Sequence, residues 1–308
     1  MSHRPVMICI DRILFPTDGS DAAGHARRHA EYLADRFDAT LHVVHVDQRE
    51  GASMDVLEVE SAEVFQSLHG IEPATLSLPV AQVQEHSVAA PSAADGILNY
   101  VVQYDIDLVV IGTHGRRGIR RVLLGSVTEE VVRKAPCPVV TVGRGAVPPE
   151  QMEDGTLLVP VDFSDQRFRL LRYARELVLL YDMAPMVLHV VTAKGQPEAY
   201  GRPARGPDPS VLADRARQVL HEEVEGLRKN GVEGSVEVRT GSPAATILDM
   251  AAETDAAFIL IATHGRTGLE RMLMGSVAET VIRQAPCPVF TVKSFGRTLV
   301  PNDENADA

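Results

Sequence analysis

The feature that most constrains this chain is that it contains itself twice. Residues 111–142 lie on residues 261–292 at a constant offset of 150, with 21 of 32 positions identical. The beginning repeats as well: residues 13–20 (ILFPTDGS) match residues 157–164 (LLVPVDFS), now at an offset of 144, and His45-Val46 matches His189-Val190 at that same offset. The six extra residues of the second copy fall to residues 195–209, where the density of Gly and Pro forbids regular structure. A period near 150 marks a duplicated domain, since solenoid repeats run to 20–50 residues. The expected boundaries are 1–145 for the first domain, 146–155 for a linker, 156–295 for the second domain and 296–308 for an acidic tail, its last residues 302–308 without apolar anchors.

Each copy alternates short β-branched runs with amphipathic stretches. Strands are expected at 41–46, 108–111 and 139–142, and at 187–191, 258–261 and 289–292, with a further strand ahead of Asp18 and of Asp162. Helices are expected at 22–37, 93–104 and 126–134, and at 166–181, 211–230, 244–253 and 276–284. Strand alternating with helix implies right-handed crossovers and an α/β fold, a parallel sheet covered on both faces.

Composition excludes several functions. Thirty basic against 42 acidic residues leave a net charge of −12, the wrong sign for non-specific nucleic-acid binding. Nothing approaches the roughly 18 apolar residues of a membrane span, and the chain reads as cytoplasmic. Cys9, Cys137 and Cys287 form no C-x-x-C pair and read as buried thiols in a reducing compartment. No cluster has metal-ligand spacing.

The chemistry lies in Gly112-x2-Gly115-x9-Gly125-Ser126, which follows an apolar strand and ends at a helix start. Glycines there let backbone approach a phosphate, and free helix N–H groups suit an anion. Arg116, Arg117, Arg120 and Arg121 lie between the glycines. Arg116 and Arg121 recur as Arg266 and Arg271, which makes them the better candidates for phosphate contact. The plainer readings are that Ser126-x-x-Glu129 and Ser276-x-x-Glu279 are capping boxes and that Asp18 caps the helix beginning near Ala22. The loop is neither a P-loop nor the dinucleotide G-x-G-x-x-G.

Taken with residues 135–139 (APCPV), these motifs resemble the tandem form of the universal stress protein family. The resemblance implies two Rossmann-like domains of the adenine nucleotide α hydrolase type, each with a five-stranded parallel sheet. It implies a site for ATP, ADP or AMP used as a regulatory ligand, with any Mg²⁺ or Mn²⁺ arriving on the phosphates. Asp18, beside Pro16 and Thr17, would meet the nucleoside, and the Val46 backbone the adenine edge. Gly112, His114, Gly115 and Arg116 would line the ribose–phosphate path. Gly125, Ser126, Val127 and Thr128 would hold phosphate with N–H groups and two hydroxyls. The second site would comprise Pro160, Val161, Asp162, Val190, Ala262, Gly265, Arg266, Gly275, Ser276 and Val277. There Ala262 replaces Gly112 and Ala278 replaces Thr128, so the first site is expected to be the tighter. The family also implies that 139–142 and 289–292 pair within one chain as an internal pseudo-dimer, with a homodimer as a further level. A slow ATP hydrolase and a signalling scaffold without nucleotide stand as alternatives.

Overall fold

A computed structural model of the chain describes residues 8–50, 55–58, 82–113, 124–143, 146–192, 208–229, 232–263 and 274–300. The chain divides into two compact units. One comprises Ile8–Pro149 with the C-terminal segment from Phe295, the other Glu150–Ser294.

In the first unit the elements run β1 (Arg12–Pro16), α1 (Asp21–Phe37), β2 (Thr40–Gln48), β3 (Asp55–Glu58), β4 (Val83–Ala90), α2 (Ala93–Gln103), β5 (Leu108–Gly112), α3 (Ser126–Lys134) and β6 (Val139–Val142). The sheet order is β3-β4-β2-β1-β5-β6, parallel except for β3, which runs antiparallel along β4. The central strands β1 and β5 are nearly unbroken apolar runs because helices cover both faces. Helix α1 lies close to the sheet through a stripe of small residues, Ala23, Ala26, Ala30 and Ala34 with Leu33, all buried at helical spacing.

The second unit runs β7 (Thr156–Val161), α4 (Gln166–Tyr181), β8 (Ala184–Val191), α5 (Pro209–Lys229), β9 (Ser235–Thr240), α6 (Pro243–Glu253), β10 (Phe258–Ala262), α7 (Ser276–Gln284) and β11 (Val289–Val292). Its order, β11-β10-β7-β8-β9, is parallel throughout. The expected α/β class and the five parallel strands per copy are therefore present. The sequence reading omitted β3, β4 and β9. Strand β9 is an edge whose Glu237 and Arg239 form an ion pair at 3.6 Å, so charge hides its strand pattern.

In each unit the chain leaves the first strand to one side of the sheet and later crosses to the other. The carboxyl ends of β1 and β5, and of β7 and β10, therefore flank a topological switch point, the place where doubly wound sheets bind ligands.

At the amino ends of β1 and β5 the first unit is tied by Asp107, a buried carboxylate. Its Oδ2 accepts the backbone N–H groups of Asp11 and Arg12, both at 2.9 Å. Its Oδ1 accepts from Arg297, which also donates to the Asp105 carbonyl at 2.7 Å. Gly296 adopts φ +79°, and an added Cβ would lie 2.0 Å from the Pro136 carbonyl oxygen. Leu299 and Val300 are buried. Residues 296–300, expected as part of an acidic tail, are thus anchored; residues 301–308 lie outside the described set. The second copy has Ala257 at the position of Asp107. Asp107→Ala strands two backbone donors, while Arg297 keeps Asp105 at 2.8 Å, and is expected to destabilise the first unit by about 2 kcal/mol. Denaturant unfolding checks this, and an unchanged midpoint would mean that the carboxylate is replaceable by water.

Candidate functional site

The first wall of the site is the turn after β1. Thr17 N–H donates to the Val44 carbonyl at 2.8 Å, closing the ladder between β1 and β2. Ser20 N–H then donates to Asp18 Oδ1 at 3.0 Å, an Asx turn made possible by Gly19 at φ +71°. The helix cap is Ser20, whose Oγ accepts from Ala23 N–H, so Asp18 does not cap α1. In the second unit Ser164 N–H donates to Asp162 Oδ1 at the same 3.0 Å. There Phe163 takes the position of Gly19 at φ +59°, a conformation costly for a side chain with a Cβ. Neighbours hold it in place. Arg167 Nη1 donates to the carbonyls of Phe163 and Ser164, both at 3.2 Å, while its Nε donates to Glu223 Oε1 at 2.7 Å.

The second wall is the end of β2. The register pairs Pro16 with Val44, and Val44 turns its carbonyl toward β1. Strand periodicity turns the Val46 N–H and C=O to that same side, beyond the end of β1. Gly96 lets α2 sit against this residue, since an added Cβ would lie 2.7 Å from Val46 Cγ1.

The third wall is the loop into α3. Thr113 N–H donates to the Val142 carbonyl, and Gly125 N–H to the Thr113 carbonyl, both at 2.9 Å. The equivalent bonds in the second unit are Thr263 to Val292 at 2.9 Å and Gly275 to Thr263 at 2.8 Å. The N-caps are Gly125 and Gly275, with no side-chain cap bond. Ser126 and Ser276 are therefore the first helical residues, and neither capping box forms. The first bond within α3 runs from Glu129 N–H to the Gly125 carbonyl. Helix geometry leaves the N–H groups of Ser126, Val127 and Thr128 without an intrahelical acceptor, at the positive end of the dipole.

Two expected donors are engaged elsewhere. Gly125 N–H is used by Thr113. The Thr128 hydroxyl, buried, donates to the Gly112 carbonyl at 2.7 Å, so it pins the strand end to the helix. The exposed Ser126 keeps the hydroxyl that faces outward. His114, Gly115, Arg116 and Arg121, with Gly265, Arg266 and Arg271, lie outside the described residues. Sequence reasoning overlooked the Arg167–Glu223 clamp, which has no counterpart motif in the first copy.

Among the cysteines, Cys137 and Cys287 are buried and Cys9 is exposed, which corrects the reading of three buried thiols. Burial pushes the Cys287 thiol up to about 12, far from nucleophilic use. Among the described residues no group of three or more His, Cys, Asp or Glu could hold a metal ion. No helix among them is long and apolar enough to cross a membrane.

Parallel α/β units with a strand-end carboxylate and a glycine-capped helix at the switch point define a class, the doubly wound α/β domain, here present twice. The model of the universal stress protein family matches residues 10–143 and 155–293, and the chain belongs to that family. A universal stress protein of Methanocaldococcus jannaschii is 32% identical over 139 residues, covering 42% of this chain and 81% of that one. One of Mycobacterium tuberculosis H37Rv is 30% identical over 200 residues, covering 62% of this chain; the match spans 63% of the relative's length. The solved universal stress protein of Archaeoglobus fulgidus DSM 4304 shares the fold with a TM-score of 0.61 at 22% identity, over 92% of this chain and 98% of that one.

Proposed function

We propose that this universal stress protein binds an adenine nucleotide, ATP, ADP or AMP, at the carboxyl end of each sheet and uses it as a regulatory ligand. The observation that carries this reading is the uncapped start of α3, repeated in α7, facing the same strand ends as an ordered aspartate turn. The N–H groups of Ser126, Val127 and Thr128 suit phosphate oxygens. The Asp18 carboxylate suits a ribose hydroxyl, and the outward Val46 peptide edge suits the hydrogen-bonding edge of adenine. Arg116 and Arg121 add charge to the phosphate path. Divalent metal, where present, is carried by the phosphates.

The first site is the tighter in this reading, because Ala262 adds a methyl at a close-approach position where Gly112 has none. Mass spectrometry of the supernatant from the denatured protein, after saturation with ATP and removal of free ligand, tests the proposal. One to two adenine nucleotides per chain are expected, and none would overturn it. Net turnover of added ATP would instead identify a hydrolase.

A further inference from the structure

His45 and His189 stand outside the phosphate path, yet each makes the same bond. His45 Nδ1 lies 2.9 Å from the Thr17 carbonyl oxygen and His189 Nδ1 lies 2.8 Å from that of Val161, each across 28 residues of sequence. A carbonyl can only accept, so both rings carry their proton on Nδ1. The bond falls where the ladder ends: the last backbone link from β1 to β2 is Thr17 N–H to Val44, and the imidazole extends it by one residue. Each ring therefore joins the strand that carries the aspartate turn to the strand that carries the outward valine edge.

The surroundings of the two rings differ. The His45 side chain is 18% exposed, its Nε2 3.7 Å from Asp47 Oδ1, and the turn beside it carries Gly19, which has no side chain. His189 is buried, with the Phe163 ring centroid 4.4 Å from its own. The second copy has no Asp47; Val191 stands there. Packing and charge have diverged around the ring while the bond to the strand end is the same. A residue kept only to fill space has no reason to hold that one bond through such changes.

We infer that His45 and His189 are positioning residues. Each fixes the distance between the nucleoside-side carboxylate, Asp18 or Asp162, and the purine-side peptide edge, Val46 or Val190. They thereby govern affinity for the nucleoside part of the ligand and leave the phosphate contacts on α3 and α7 untouched. This rests on the nucleotide reading above.

The test uses the full chain carrying Gly275→Asp to silence the second site, with ATP and inorganic tripolyphosphate as separate probes in calorimetry. His45→Leu removes the donor and is expected to weaken ATP by about tenfold or more while tripolyphosphate affinity stays within about twofold. His45→Asn, whose amide nitrogen overlies Nδ1, is expected to recover most of the loss. His45→Gln places the donor one bond too far, and is expected to behave like leucine even should the leucine variant melt below the assay temperature. Unchanged ATP affinity in both the leucine and glutamine variants overturns the inference, as does an equal loss for both probes. Failure of the unsubstituted chain to bind ATP overturns the nucleotide reading and this inference with it.

Discussion

Gly125→Asp is expected to remove nucleotide from the first site while leaving the fold as stable as before, or more so. Gly125 has φ −61° and ψ 137°, an extended conformation open to any residue. An added Cβ would lie 3.3 Å from the Thr113 carbonyl oxygen and 3.7 Å from Thr128 Oγ1, so only a small shift is needed. Gly125 is also the N-cap, where aspartate is among the preferred residues because its carboxylate accepts the N–H groups two and three residues on. Those are the amides of Val127 and Thr128, the groups assigned to phosphate. The substitution therefore caps the helix with an internal anion, worth roughly a few tenths of a kcal/mol over the glycine it replaces, and places a like charge against the incoming phosphate. Affinity at that site should fall by about 100-fold or more, and the stoichiometry measured after ATP saturation should drop by one per chain.

Gly125→Ala separates room from charge, since it adds the methyl without the carboxylate and should lose far less. The twin Gly275→Asp silences the second site, and the residual affinities of the two variants compare the sites directly. An aspartate variant that binds ATP as tightly as its parent would show that the start of α3 is not where phosphate sits.

Acid is expected to destabilise the first unit before the second. Burial lowers His29 from the usual 6.5 to about 4, reinforced by nearby His25 and opposed by a backbone hydrogen bond with Val147. Burial likewise lowers His42 to about 4, with His86 and Arg12 adding to the effect. Both rings stay neutral in the fold down to about pH 4, whereas the unfolded chain protonates them near 6.5. Between these values the unfolded state binds more protons, so stability falls as pH falls, and it is fully present above pH 6.5. The loss amounts to about 3 kcal/mol for each histidine by pH 4. Glu85, raised by burial, acts in the opposite sense as it protonates.

The second copy carries Tyr173 and Met186 where the first has His29 and His42, so it lacks both liabilities. Hydrogen exchange read by mass spectrometry, corrected for intrinsic rates, should show protection in α1 and β2 falling between pH 6.5 and 4 while α4 and β8 hold. His29→Tyr with His42→Met should flatten that dependence. Equal acid sensitivity of the two units would refute this account.

Much of the candidate site's framework was legible in the sequence because its markers are local. The glycines, the strand-end aspartates and the alternation of apolar runs with amphipathic ones are set by neighbours a few residues apart, and most of them recur in the twin, with Ala262 for Gly112 and Phe163 for Gly19 as the departures. Less legible were choices made between chemically similar groups. Ser126 and Gly125 stand side by side, and either can end a loop; the Gly125 N–H bond to Thr113 makes the glycine the cap. The Thr128 hydroxyl looked like a phosphate ligand by its place in the motif, but it donates its hydrogen bond to the Gly112 carbonyl, 16 residues away in sequence.

The duplication and the α/β class were determined by the sequence alone, because periodicity and turn chemistry act over short range. Only the tertiary structure decided that Phe163 would hold a glycine-like turn under an Arg167–Glu223 clamp and that His45 would lengthen the ladder between β1 and β2. It alone decided that Arg297 would return to Asp107 across 190 residues. Each of these is a contact between groups far apart in the chain, and it exists only once the sheet has brought them together.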